Sequence, residues 1–245
     1  MHIADARQTL LHYLKALRSR PSVLHVTSVI GFGDGFRCIR IRPGSPRSAI
    51  DRYLLEASRA CSSTIITTAE ILRQEPKMTT RFQASRFAHV FDYKPTTMIL
   101  TRSGDIPLNH PSLLSAPGSV IIVCGNSKNR LRLPEESLKR MVSTITVPSD
   151  TTITEIVSTL KNIDERISIE AGPSTTNPLY HSKQIDATLL SIYNGTTGDQ
   201  FVGTTTVPST NLGSEFSRVW THEHDLWTFS LYVRNELRDC IIANM

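Results

Sequence analysis

The chain has only four cysteines, Cys38, Cys61, Cys124 and Cys240, far apart and with no C-x-x-C pair among them. That spacing excludes a disulfide framework and a zinc knuckle, and it suits a reducing compartment, the cytoplasm. No apolar run approaches the roughly 18 residues needed to cross a bilayer, so no membrane span is expected. Interleaved aromatic and basic residues are absent, as is zinc-finger spacing, so the linear pattern does not suggest a nucleic-acid module and a nucleic-acid partner is not expected. Acidic residues are scarce at one end. Residues 1–50 carry Arg7, Lys15, Arg18, Arg20, Arg37, Arg40, Arg42 and Arg47 against Asp5 and Asp34, a balance of +6, while the rest of the chain sums to −1. Such asymmetry reads either as a solvated face or as a surface for an anion: a phosphorylated ligand, nucleic acid or a protein partner.

What is present is an ordinary soluble composition over 245 residues, enough for one large α/β domain or two small ones. Residues 3–18 place Ile3, Leu10, Leu14 and Leu17 on one face of a basic amphipathic helix that stops before Pro21. Val23 to Ile30 and Phe36 to Ile41 read as strands around Gly31-Phe32-Gly33-Asp34-Gly35. A helical stripe of Ile50, Tyr53, Leu54, Ala57 and Ala60 leads into a strand from Ser63 to Thr67. Thr97 to Thr101 and Ser119 to Cys124 look like buried strands. Residues 151–163 repeat a helical stripe (Ile153, Ile156, Val157, Leu160, Ile163), and strands follow at 167–170 and from Ala187 to Tyr193. Phe216 to Val233 reads as two long strands around His222-Glu223-His224-Asp225. The alternation predicts a doubly wound, mainly parallel sheet finished by an antiparallel hairpin, with helices on both faces. No internal repeat or linker divides the chain, so residues 1–20 are read as an N-terminal helix and 21–245 as a single domain. The acid-poor helix also has the character of a mitochondrial presequence, and equally of a packed helix of the fold.

The segment Ile167-Ser168-Ile169-Glu170-Ala171-Gly172-Pro173-Ser174-Thr175-Thr176-Asn177-Pro178 carries the strongest chemical signal. A strand delivering a glycine turn onto a helix N-terminus can hold phosphate, because glycine admits a close approach and the free N–H groups favour negative charge. The same turn also serves simply to pack a helix.

The order of segments from Val23 to Val233 resembles the reductase domain of riboflavin biosynthesis, the C-terminal half of the bacterial bifunctional deaminase/reductase, which has the dihydrofolate-reductase-like fold. Ser28-Val-Ile-Gly-Phe-Gly-Asp34-Gly35 stands where that family has Ser-Leu-Asp-Gly. Ile65-Ile66-Thr67-Thr68-Ala69-Glu70 stands in place of Gly-x-Gly-Thr, Glu170-Ala171-Gly172 in place of Glu-Gly-Gly, and Gln184-Ile185-Asp186 near its Val-Asp-Glu. The deaminase signatures H-x-E and P-C-x-x-C are missing.

The resemblance implies hydride transfer from NADPH to a ribosylamino-pyrimidine phosphate or a related small phosphorylated substrate, and a homodimer. It implies cofactor contacts at Glu170, Gly172, Pro173, Ser174, Thr175 and Thr176, with Thr67, Thr68 and Ala69 forming the opposite wall. Ser127, Lys128 and Arg130 would meet the 2′-phosphate. Ser28 and Asp34 would hold the pyrimidine, and Arg81 the substrate phosphate, which a guanidinium fork suits. No catalytic residue is singled out. The departures are specific: Thr67, Ala69 and Ala171 put a Cβ where the family has glycine or a close approach, Glu70 adds a negative charge, and Pro173 removes a donor. They support an alternative in which the chain is a non-catalytic relative serving as a structural or interaction subunit of a larger assembly. His222-x-His224 with Glu223 and Asp225 has metal-like spacing on a strand, but it reads better as a polar hairpin turn, and no metal is expected.

Overall fold

The computed structural model describes residues 3–32, 35–88, 94–125, 142–163, 165–206 and 209–245. In chain order, α1 (Ile3–Leu17) leads into the antiparallel pair β1 (Ser22–Phe32) and β2 (Gly35–Ile39), then α2 (Ala49–Ala60), β3 (Thr64–Thr68), α3 (Ala69–Gln74) and α4 (Ala84–Phe87). Next come β4 (Thr96–Thr101), α5 (Pro111–Leu114), β5 (Val120–Cys124) and β6 (Val142–Thr146). The C-terminal half runs α6 (Ile153–Asn162), β7 (Arg166–Ile169), α7 (Pro173–His181), β8 (Ala187–Tyr193), a 3-10 turn (Asp199–Phe201) and β9 (Val202–Thr206). It ends with α8 (Ser209–Ser214), β10 (Phe216–His224), β11 (Trp227–Arg234) and α9 (Asn235–Ala243).

The strands form one sheet in the order β10-β11-β8-β1-β7-β3-β4-β5-β6, with β2 and β9 extending it from β1. From β8 through β6 every pairing is parallel, and β10–β11 is an antiparallel hairpin laid against β8. The expected mixed α/β sheet, mainly parallel with a C-terminal hairpin, is the architecture observed. Its interior strands are rich in Ile, Val, Leu and Thr, as suits strands covered on both faces.

Helices cover both faces. On one face, α1 and α2 bury Leu10, Leu14, Leu17, Tyr53, Leu54 and Ala57 against Leu24, Leu189, Phe229 and Leu231. Trp220 Nε1 donates to the Ala6 carbonyl at 3.0 Å, which ties the hairpin to α1. On the other, α6 and α7 bury Val157, Leu179 and Tyr180 against Val23, Ile66, Ile167 and Ile169. A third cluster, beyond β3, seats Ala69 and Leu72 of α3 on Ile99 and Ile122.

Three sequence expectations change. The α6 stripe ends one residue early: Ile163 is the C-cap, past the last helical residue Asn162, and is 64% exposed. The hairpin turn is Asp225-Leu226, with Asp225 at φ 52°, so His222 and His224 lie on β10 rather than in the turn. His224 pairs with Asp225 at 3.0 Å, His222 stacks on Trp220 and Phe229, and no metal-binding cluster exists among the described residues. β6 and β9 were not foreseen: Val142–Thr146 and Val202–Thr206 are short, threonine-rich and mostly polar.

The start of α6 is held by a capping box. Thr152 Oγ1 accepts from Glu155 N at 3.2 Å while the Glu155 carboxylate accepts from Thr152 N at 2.7 Å. Thr152→Ala should lower stability by about 1 kcal/mol, read as a reduced urea midpoint at unchanged m-value. An unchanged midpoint would mean that solvent replaces the cap.

Candidate active site

β7 and β3 are neighbours in the sheet, yet their C-terminal connections leave in opposite directions. β7 runs through α7 to β8, on the far side of β1, whereas β3 runs through α3 to β4. The two helices also take opposite faces: α7 packs with Ile66 and Ile169, and α3 with Ile99 and Ile122. Diverging connections open a crevice at the carboxyl edge of the sheet, which is where open α/β sheets bind their ligands.

Gly172 forms one side of this crevice as the N-cap of α7. Its φ of −72° and ψ of 173° are open to any residue, so the fold itself does not demand glycine there. A Cβ built at Gly172 would meet nothing within 4 Å, so the space in front of it is free. Donors are fewer than in a typical helix start. Pro173 has no N–H, and the Thr175 N–H turns back to the Gly172 carbonyl at 3.0 Å, beside the ordinary first helical bond from Thr176 N at 3.1 Å, so only Gly172 and Ser174 keep their N–H groups free of the helix. Ser174 is exposed and Thr176 is buried.

The alanines that replace family glycines do not fill the crevice. Ala171 packs in the α7-side core, and Ala69 is buried against Leu72. Glu70 is exposed and accepts from Gln74 Nε2 at 3.0 Å, so its charge lies along α3. Thr68 caps α3 through Ile71 N at 3.3 Å, whereas Thr67 is fully buried with its hydroxyl unpartnered. Of the wall Thr67-Thr68-Ala69, only Thr68 stands at the rim.

Glu170 is engaged elsewhere. Its carboxylate receives Arg59 Nε at 2.7 Å and Nη2 at 2.6 Å, a bidentate pair with both side chains buried. Arg59 also donates Nη1 to the Arg81 carbonyl at 3.1 Å. Glu75, at the end of α3, faces the same cluster. Burial and the Glu170 carboxylate push Glu75 up to about 7, against the pull of Arg59. One guanidinium thus serves two carboxylates.

The substrate residues suggested by the sequence fare differently. Arg81 is exposed, and its Nε donates to the Ser115 carbonyl at 2.9 Å. Ser28 donates to Asp51 at 2.8 Å, and Ser191, its neighbour across β8, also bonds that carboxyl. Burial raises the Asp51 pKa despite the two serines. Asp34, Ser127, Lys128 and Arg130 lie outside the described residues.

Sequence reading missed Arg59, Glu75, Asp51 and His25. His25 is fully buried, with Nδ1 2.8 Å from the Tyr180 hydroxyl, which in turn bonds Thr188. Burial lowers the imidazole to about 3, so it is neutral and links β1 to α7 behind Gly172. The available signals were a histidine within the apolar alternation of β1, and charged residues beside the apolar stripe of α2.

No protein-family model matches the chain, and no curated protein matches it in sequence. Solved structures do. RibD of Acinetobacter baumannii superposes with a TM-score of 0.64 at 15% identity, over 88% of this chain and 58% of that one. The chain therefore spans little more than half the length of that protein. A pyrimidine reductase-like protein of Corynebacterium diphtheriae gives 0.62 at 17% identity, covering 90% and 94% of the two chains. The riboflavin biosynthesis reductase Rib7 of Saccharomyces cerevisiae gives 0.60 at 13% identity, covering 94% and 99%. The chain has the fold of the riboflavin-pathway pyrimidine reductases. No helix among the described residues is long and apolar enough to cross a membrane.

Proposed function

We propose that this chain is an NADPH-dependent reductase of a small phosphorylated substrate, of the ribosylamino-pyrimidine type or related to it. The observation that carries the reading is the open Gly172 at the N-terminus of α7, in the crevice where the connections of β7 and β3 diverge. The residues fit a dinucleotide, because the Cβ atoms of Ala69 and Ala171 are directed into cores rather than into the crevice.

Gly172 and Ser174 would receive the pyrophosphate, with Thr68 opposite. The cofactor would supply the hydride, and the protein would supply position and exclusion of water. Asp51, fixed by Ser28 and Ser191, offers a half-buried carboxyl able to hold a proton or accept from a heterocycle N–H. The exposed Arg81 guanidinium keeps donors for a phosphate.

The test is calorimetric titration with NADPH and NADH. Tryptophan quenching would be a poor reporter, since Trp220 and Trp227 are buried in the hairpin under α1. Saturable micromolar binding that prefers NADPH is expected. Gly172→Asp should weaken it at least tenfold, because a carboxylate would face the pyrophosphate, while the helix gains a favourable N-cap and stays folded. A folded protein that ignores millimolar NADPH would instead favour the second reading, a non-catalytic subunit. The observation behind that reading is the donor-poor start of α7, where Pro173 has no N–H and that of Thr175 is turned back to Gly172.

A further inference from the structure

The span 31–48 holds Arg37, Arg40, Arg42 and Arg47 against a single acid, Asp34, a balance of +3 in a chain whose total is +5. More than half of the net charge therefore sits in 18 residues. Arg40, Arg42 and Arg47 are exposed, and none of the four arginines forms an ion pair with a described residue. Two large apolar side chains are exposed among them, Phe32 at 56% and Ile41 at 45%. The β1–β2 pairing sets Arg37 diagonally beside Phe32, with its guanidinium carbon 3.6 Å from the ring centroid. The guanidinium covers one face of the ring, so the exposure of Phe32 belongs to its other face and edge. The fold thus builds an aromatic–basic juxtaposition that the linear pattern does not display.

Phe32 lies away from Gly172 and the β7–β3 crevice, whereas Arg47 adjoins Ser48, the cap of the α2 turn that carries Asp51. His25 is the last β1 residue paired with β7, and Phe32 lies seven residues further on, roughly 23 Å along an extended strand. Nothing about this patch depends on the reductase reading.

We infer that the β1–β2 arm and the segment leading to α2 bind single-stranded nucleic acid, with a base stacked on the free face of Phe32 and phosphates on Arg40, Arg42 and Arg47. Exposed arginines alone would suit any polyanion. An open aromatic face already backed by a guanidinium selects for a polyanion with planar groups, because every base offers a π-face. Phe32 lies past Ile30, the last β1 residue paired with β8, so its ring stands at the open end of the strand, where an unpaired chain can bring its accessible bases to it.

The experiment is fluorescence anisotropy of a labelled 15-nucleotide oligouridylate with the full chain, at 50 and 200 mM NaCl. Three phosphate contacts give a log–log salt slope near −2, so affinity should fall about twentyfold between the two salts. Arg40→Gln with Arg42→Gln should reduce that fall to about threefold, one contact remaining. Phe32→Ala, at an exposed site, should weaken oligouridylate binding at least fivefold while leaving binding of a polyglutamate of equal charge unchanged. Circular dichroism melts confirm that each variant is folded. Absence of binding at 50 mM salt and 100-micromolar protein would overturn the inference. So would a Phe32→Ala variant with unchanged oligouridylate affinity, or polyglutamate that competes at equal strength; the patch would then fit an acidic protein surface.

Discussion

Arg59→Met is expected to be among the most destabilising single changes in the molecule, lowering the unfolding free energy by about 3–5 kcal/mol. The pair it breaks joins residues 111 apart in sequence and fastens α2 to the carboxyl end of β7 through two hydrogen bonds of 2.7 and 2.6 Å. Both side chains are buried, so water cannot take over when one partner leaves. The loss would strand the Glu170 carboxylate beside Glu75 with no counter-charge and would orphan the Arg81 carbonyl. Urea denaturation of the variant at pH 7 measures the effect. Adding Glu170→Met should restore much of the loss, since removing both charges removes the stranded one. A single-variant loss below about 1 kcal/mol, or losses that simply add in the double variant, would show that the pair is hydrated and weak.

Glu75→Gln should do the reverse, and only at high pH. Glu75 ionises in the fold at about 7 rather than at its ordinary 4.5, so the folded state holds its proton after the unfolded chain has released it. Stability from this group is therefore full below pH 4.5, falls as pH rises, and is lost above pH 7. The shift corresponds to an upper bound of about 3.4 kcal/mol, and partial solvent access at a half-buried site reduces this to about 2 kcal/mol. Glutamine cannot ionise, so Glu75→Gln should match the parent at pH 4 and exceed it by about 2 kcal/mol at pH 8. Urea midpoints of the two proteins at pH 4, 6 and 8 give the comparison. A difference that does not vary with pH would remove the charge from the argument and leave only packing.

The parts of the fold that could be read from the sequence share one property: their signals are local. The stripes of α1, α2 and α6 recur every three or four residues, β3, β4 and β5 are short runs rich in β-branched residues, and β8 is a leucine-centred apolar run. β6 was missed because an edge strand with exposed Ser143, Thr144, Ile145 and Thr146 has no apolar alternation to betray it. The end of α6 was misjudged because Ile163 fits the stripe but falls one residue past the helix. In the crevice, Gly172-Pro173 was legible as a turn onto a helix. The partners that give Glu170 and Ser28 their surroundings were not, because Arg59, Glu75, Asp51 and Ser191 reach them only through the sheet order. For the same reason, the sequence could name the replaced glycines but not foresee that the Cβ atoms of Ala69 and Ala171 point into cores.

The central place of β7 has a consequence for how the chain is made. β1 and β3 leave the ribosome early, yet each lacks the neighbour that finally separates them until residues 166–169 emerge. At about 5–20 residues per second, the roughly 100 residues between β3 and β7 take about 5–20 s to synthesise. Through that interval two apolar strands present open edges, and their direct pairing with each other is a ready error. The nascent chain therefore needs either protection of these edges or pairing weak enough to reopen, so that a late four-residue strand can enter the middle of the sheet.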